Sequence, residues 1–401
     1  MVFYKKQLTI FLAVTLTFAV FYFFANKNLL NQNLLADVSG TVLAPNSVQK
    51  LENPPTVFQS VYMTGWSAGS KKYQDYLKDI FATTPVNTVV IDVKDASGVV
   101  SYRTQAPMAK AYKAYWPEIR NLDALIEDLH KQGIYVIGRI AVFEDGELAH
   151  SRPDLAVYNK AETYDTTQPV LWGNKNGLAW VDPASEEVWQ YNIEIARDAL
   201  NHGFDEINFD YVRFPTDGNL KNMGFPKWDK KTPRSIVIKN FFKKVRQSLP
   251  DATLSVDLFG LSAVNSDDLG IGQIIENAFD YFDYVCPMLY PSHFASGFLG
   301  FQNPADHPYE VVKYSTEYAM LKKSYYQNAV SFMGPVGKMA KIRPWIQDFN
   351  LGAVYDASMV RQQINAVSEA TKNEYVGFML WSPSNFYTKE AFISPSVATP
   401  Q

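Results

Sequence analysis

Two carboxylates close apolar runs of strand length: Asp210 in "EINFDYVRF" and Asp257 in "TLSVDLFG". Side chains alternate along a strand, so Asn208 and Asp210 share one face against Ile207, Phe209 and Tyr211. Ser255 and Asp257 share a face in the same way, against Leu254, Val256 and Leu258. A third run, "TVVIDVKD", sets Asp92 beside Lys94, and Arg139 stands near the end of "YVIGRIAVF". Buried charges cost roughly several kcal/mol each unless they are paired. Acids and cations gathered at one place are therefore either an ion-pair network, Asp92–Lys94 closed by Arg139, or a reaction centre. Two acids on neighbouring strands have no evident structural need, and a carboxylate pair suits cleavage of a glycosidic bond. One acid protonates the leaving group while the other attacks the sugar or activates water. Like charges held close drive the two pKa values apart, which lets similar groups divide these roles.

Neighbouring strands lie about 4.8 Å apart, so carboxyl groups leaving two adjacent strand ends would be separated by roughly 5 Å, the gap of retaining enzymes, or with barrel stagger somewhat further, toward the roughly 6.5–9.5 Å of inverting ones. Each acid sits two residues after a small polar group on the same inward face, a reading that favours retention with Asp210 as nucleophile and Asp257 as acid/base, and Glu144 and Asp145, after the third run, as alternative acids. Arg213 would hold the carboxylate or a substrate hydroxyl, or else pair with Asp217. Trp66, Tyr290, His293, Gln347 and Trp381 fall at or near run ends, where flat rings could stack on sugar C–H faces. With Asp92, Lys94, Arg139, Asn208 and Arg213 they make up the expected substrate-binding set.

Positioning these groups requires strands whose C-terminal ends converge. Eight runs are candidates: 61–66, 88–95, 135–143, 206–214, 253–260, 283–290, 342–349 and 375–381. Helical patterns separate them. In "NLDALIEDLHKQG", Asn121 is placed to cap, Leu122, Leu125, Ile126 and Leu129 share a face, and Gly133 ends the helix. In "DPASEEVWQYNIEIARDALNHG", Asp182 reads as the cap, Pro183 as the first helical residue and Gly203 as the stop. Alternating strands and helices imply parallel strands joined by crossovers, and eight close a (β/α)8 TIM barrel over 57–390, with a tail at 391–401.

Composition narrows the class further. The 401-residue chain is 47% hydrophobic and 19% charged with net charge −4 and both signs interspersed, so no nucleic-acid partner is expected. Aromatic residues reach 14%, enough for core packing and a sugar-binding cleft. A single cysteine, Cys286, excludes an internal disulfide, and the 5 histidines lack metal-ligand spacing, so neither metal nor cofactor is expected. The uncharged run from Gln7 to Phe24 follows Lys5-Lys6 and is about long enough to cross a bilayer. It predicts a membrane anchor over 1–26, with a cleaved signal peptide as the competing reading, then a polar linker over 27–56 and a barrel outside the cytoplasm.

Four motifs in order, "EINFDYVRFPTDG", "VCPMLYPSHF", "IRPWIQDF" and "GFMLWSPSNFY", resemble those of the bacterial Putative glycosyl hydrolase domain family, from about Val57 to Tyr387. The resemblance implies a glycoside-hydrolase-like barrel at the cell envelope with a polysaccharide as substrate. α-Amylase-type barrels are more loosely similar. They carry Arg two residues before the strand-four Asp and Glu on strand five, where this chain has Asn208 and Asp257. Chitinase-type barrels place Glu two residues after that Asp, where this chain has Val212. The expected function is a membrane-anchored, extracytoplasmic glycoside hydrolase; the alternative is a barrel that binds glycan without cleaving it.

Overall fold

The computed structural model describes residues 48–164, 168–173, 177–332 and 337–392. The apolar runs form parallel strands: β1 (Phe58–Met63), β2 (Thr88–Lys94), β3 (Tyr135–Ala141), β4 (Glu206–Asp210), β5 (Thr253–Phe259), β6 (Tyr284–Met288), β7 (Trp345–Gln347) and β8 (Gly377–Trp381). Each pairs with the next along the chain. A two-residue piece, Lys341–Ile342, pairs with β6 ahead of β7, and Trp345 itself pairs with Met288. β8 lies between β7 and β1, with Phe58 opposite Gly377, so the sheet closes on itself. Gly377 has φ +94°, and a Cβ there would lie 1.9 Å from the Phe58 carbonyl oxygen, which explains a glycine at the seam.

Helices α1 (Lys71–Thr83), α2 (Leu122–Lys131), α3 (Glu186–Asn201), α4 (Arg234–Ser248), α5 (Pro308–Ser331) and α6 (Ala357–Thr371) surround the strands. After β5 the described crossover contains only 3-10 turns, Gly260–Ala263 and Ile275–Ala278. The barrel is thus (β/α)8-like, with one crossover shortened. Asn121 caps α2, its side chain accepting from the Ala124 N–H at 3.2 Å, and Leu122, Leu125, Ile126 and Leu129 are buried below it. Asp182 is not a helix cap. Ser185 caps α3 instead, while Asp182 accepts from the N–H groups of Ala184 (2.9 Å), Lys227 (2.6 Å) and Trp228 (2.9 Å) and ties two loops together.

Two sets of apolar side chains follow from strand alternation. Val89, Ile91, Val136, Ile207, Phe209, Leu254 and Val256 face the helices, each fully buried aliphatic contributing about 1.5–3 kcal/mol. Phe58, Tyr62, Val90, Tyr135, Ile137, Cys286, Tyr290, Trp345 and Met379 fill the interior of the barrel. At the N-terminal end of β4 the fully buried pair Glu206–Arg343 is held by Ser255 Oγ (2.5 Å) and by Arg343 stacking on Phe58 and Tyr284, 4.9 and 4.2 Å from the ring centres. Residues at the end of the expected linker touch this same barrel: Leu51 N–H donates to Asp205 at 2.7 Å.

The expected membrane anchor is corrected. Among the described residues no helix is long and apolar enough to cross a membrane. The longest, α5, has 24 residues but carries Lys313, Lys322 and Lys323 and packs against the barrel. The run from Gln7 to Phe24 lies outside the described residues. Membrane attachment and the single-pass placement derived from it are therefore not supported.

Candidate active site

β4 stops at Asp210 because the next residue turns left-handed: Tyr211 has φ +53°, a conformation that L-residues rarely adopt. Tyr211 N–H donates to Asp210 Oδ1 at 2.5 Å, so the turn and the carboxylate fix each other. Arg139, from β3, donates to Asp210 Oδ2 through Nε (3.1 Å) and Nη2 (2.6 Å). Three N–H groups therefore hold this one carboxylate. The remaining edge of the same guanidinium reaches Asp92 Oδ1 at 2.5 Å, and Tyr62 donates its hydroxyl to Asp92 Oδ2 at 2.5 Å. Burial pushes the Asp92 carboxyl up from its ordinary range, against the pull of Arg139 and Tyr62.

These groups open into a cavity of about 660 Å³ at the C-terminal ends of the strands. Asp92, Arg139, Asp210, Arg213, Tyr290, His293 and Trp381 all line it. Trp381 stacks on Tyr290, with ring centres 5.3 Å apart, and meets Phe349 edge-on at 4.9 Å. His293 is pushed below its ordinary range by burial and so favours its neutral form. Arg213 lies over Trp180 and Phe259, 4.6 and 4.9 Å from their ring centres. It makes an ion pair with neither Asp210 nor Asp217 within 4.0 Å; its one hydrogen bond among the described residues runs from Nη1 to the Phe214 carbonyl at 3.2 Å.

The other expected residues lie elsewhere. Asp257 is 1% exposed and sits beneath the cavity rather than on its wall. Its Oδ1 accepts from Asn208 Nδ2 at 2.9 Å, and Oδ2 has Arg139 Nε 4.0 Å away but no hydrogen bond. Burial first, then the Asp210 charge, raises the Asp257 carboxyl well above the usual range, which favours its neutral form. Asn208 also bonds to Ser255 Oγ at 3.0 Å. Lys94 is fully buried against Asp145 and over the Tyr191 ring, with burial lowering its pKa. Asp145 is occupied twice, by Lys94 and as the cap accepting from Leu148 N–H at 2.8 Å. Gln347 is buried and accepts from Ser292, N–H at 3.2 Å and Oγ at 2.9 Å. Trp66 is 64% exposed on the short helix Gly65–Gly69 and does not line the cavity. Glu144 is buried in the loop after β3 and does not line it either.

Strand alternation missed Asp95. The pairing of β2 with β3 shifts by one residue between Asp92 and Lys94, and this irregularity ends the period of two. Lys94 turns toward Asp145, while Asp95 joins the cavity wall with Oδ1 accepting from Ser97 N–H (2.9 Å) and Ser97 Oγ (2.5 Å). Half-buried Glu118 is electrostatically coupled to this corner: burial, then Asp95 and Asp92, push its carboxyl up to about 7. Among the described residues no group of three His, Cys, Asp or Glu could hold a metal ion.

No curated protein matches the chain. A hypothetical protein from Ruminiclostridium thermocellum is 33% identical over 53% of this chain and 98% of its own, with a TM-score of 0.44. An α-L-fucosidase isoenzyme 2 from Paenibacillus thiaminolyticus is similar in fold at 13% identity and a TM-score of 0.51, covering 84% of this chain and 49% of its own. An α-galactosidase from Thermus thermophilus, in complex with stachyose, has 14% identity and a TM-score of 0.48 over 85% of this chain and 65% of its own. The model of the family described as "Putative glycosyl hydrolase domain" matches residues 60–387. The chain belongs to that family, as a glycoside-hydrolase-like (β/α)8 barrel.

Proposed function

We propose that this protein hydrolyses a glycosidic bond in a polysaccharide, with Asp210 as the carboxylate at the reacting centre. One observation carries the reading: Asp210 ends β4 at the cavity, held by three N–H donors from Arg139 and Tyr211. Such an arrangement keeps an anion oriented toward a substrate without mobile solvent having to reorganise.

The proton donor is assigned by elimination among the carboxyls on the cavity wall. Both oxygens of Asp92 are engaged by Arg139 and Tyr62, and both of Asp210 by Arg139 and Tyr211. Asp95 has one oxygen committed to Ser97 and the other without a hydrogen bond among the described residues. Glu118, whose carboxyl burial and the charges of Asp95 and Asp92 push up to about 7, stands behind this corner. Asp257 has a different part. Its carboxyl, raised by burial and by the Asp210 charge, favours the neutral form, which relieves charge against Asp210, and so it acts as a positioning residue.

In the reaction, a proton from the Asp95 corner passes to the glycosidic oxygen as its bond to the anomeric carbon breaks. Water adds to that carbon and gives its proton to Asp210, and the products are a hemiacetal and an alcohol. Asp95 follows β2 and Asp210 ends β4, two strand spacings or about 9.6 Å apart at the backbone. That leaves room for the water and suits inversion, which needs about 6.5–9.5 Å between carboxyls. The test is turnover of a glycan panel by wild type, Asp210→Asn and Asp95→Asn, with the product anomer read by NMR. Loss of about 10²-fold or more in turnover for either variant, with an inverted product, is expected. Retention would return the acid role to a group closer to Asp210, namely Asp257.

A further inference from the structure

Arg213 is 8% exposed, more than nine-tenths buried, yet it stands on the cavity wall. Its guanidinium lies over Trp180 and Phe259, and Nε is buried with no hydrogen-bond partner. No carboxylate among the described residues lies within 4.0 Å of it; Glu144, Asp217 and Asp210 act on it only from farther away. An unpaired, desolvated cation is costly to a fold unless something completes it. Arg139, by contrast, is fully occupied by Asp92 and Asp210. The carboxylates of the cavity wall stand at the ends of β2 and β4, whereas Phe259, Gly260, Leu261 and Gln273, on the β5 side, bring no charge. The Gln273 side chain is also spent, accepting from Phe259 N–H at 2.8 Å and donating to the Val212 carbonyl at 3.2 Å.

We infer that Arg213 and the β5-side wall form a subsite for an anionic substituent of the sugar, the carboxylate of a uronic acid. This deepens the proposed hydrolysis of a polysaccharide and rests on that reading for the chain being a glycan. The planar fork of a guanidinium matches a carboxylate with two parallel N–H donors, while a lone hydroxyl would leave the charge uncompensated. A monoanion fits better than a phosphate dianion, because Asp210, Glu144 and Asp217 already act on this position. The aromatic rings fix the fork in place, so little side-chain entropy is lost on binding.

The experiment uses oligosaccharides of galacturonate, glucuronate and mannuronate, each beside its carboxyl-reduced neutral counterpart, and a sulfated galactan oligosaccharide. Binding is measured by calorimetry and cleavage by reducing ends, for wild type, Arg213→Lys and Arg213→Met, each checked for folding by thermal melting. Wild type is expected to bind at least one acidic member about tenfold or more tighter than its reduced form, as a charge-assisted contact implies. In Arg213→Met that ratio should fall to near one, and Arg213→Lys should fall between. A wild-type ratio near one for every pair overturns the inference without any variant being needed. So does a preserved ratio in Arg213→Met, and so does tighter binding of the sulfated galactan than of any uronate. Cleavage without acid preference removes the subsite and leaves the hydrolase reading; acid preference without cleavage does the reverse.

Discussion

Arg139 organises the acids of the site, since one guanidinium holds Asp210 on one edge and Asp92 on another. A sequence reading could find Asp92, Arg139 and Asp210 because they obey strand alternation. It assigned Asp257 to the wall because alternation gives the face of a residue and not its depth, and Asp257 sits under the floor at 1% exposure. Asp95 was missed because the irregularity after Asp92 breaks the period. Glu118 offers a test at this scale. Its carboxyl moves from an ordinary value of 4.5 up to about 7 in the folded chain. The folded state then binds more protons than the unfolded state between these values, so this group makes stability fall as pH rises from about 4.5 to about 7. Glu118→Gln should therefore raise stability at pH 8 by about 1 kcal/mol, after allowance for solvent screening, and change little near pH 4. Melting curves across that range check it, and a gain largest at low pH would contradict it.

The elements were legible where their signals were local. Asn121 caps its helix, and the eight strand runs all contain strand. Boundaries were less so. β1 begins at Phe58, not Val61, which puts Tyr62 inside the barrel and leaves Trp66 on a short exposed helix. The seventh run is interrupted at Arg343 and Pro344, where Arg343 turns to Glu206. β4 ends at Asp210 because Tyr211 turns left-handed, and no propensity rule reads that from a tyrosine. Closure between β8 and β1 depends on Gly377, whose missing side chain makes room for the Phe58 carbonyl. Gly377→Ala combines a left-handed residue, at about 1–2 kcal/mol, with a backbone clash at the seam. Its expected effect is a loss of about 3 kcal/mol or more, read by chemical denaturation. A change within about 0.5 kcal/mol, the range of ordinary surface substitutions, would show that the seam is not tight.

At the scale of the barrel, the buried ion pair and the proposed reaction centre lie at opposite ends. The base holds Glu206 and Arg343, both fully buried, and the mouth holds Asp95, Asp210 and Arg213. Glu206→Gln leaves Arg343 charged and uncompensated, with an expected cost of about 3–5 kcal/mol. Because the pair lies at the far end from the cavity, activity per folded molecule should change little; an equal loss of activity per folded molecule would mean that the two ends are coupled. The barrel itself could be read from alternating strands and helices, since that pattern is global. Membrane attachment could not be carried over, because it rested on residues outside those the structure describes. The central claim is that Asp210 performs chemistry rather than holding the fold or the glycan. It is tested most directly by measuring cleavage and binding of the same glycan by wild type and Asp210→Asn. The account predicts turnover reduced by about 10²-fold or more with affinity and melting temperature close to wild type. Equal turnover in the two proteins, or no turnover in either with binding intact, would contradict it.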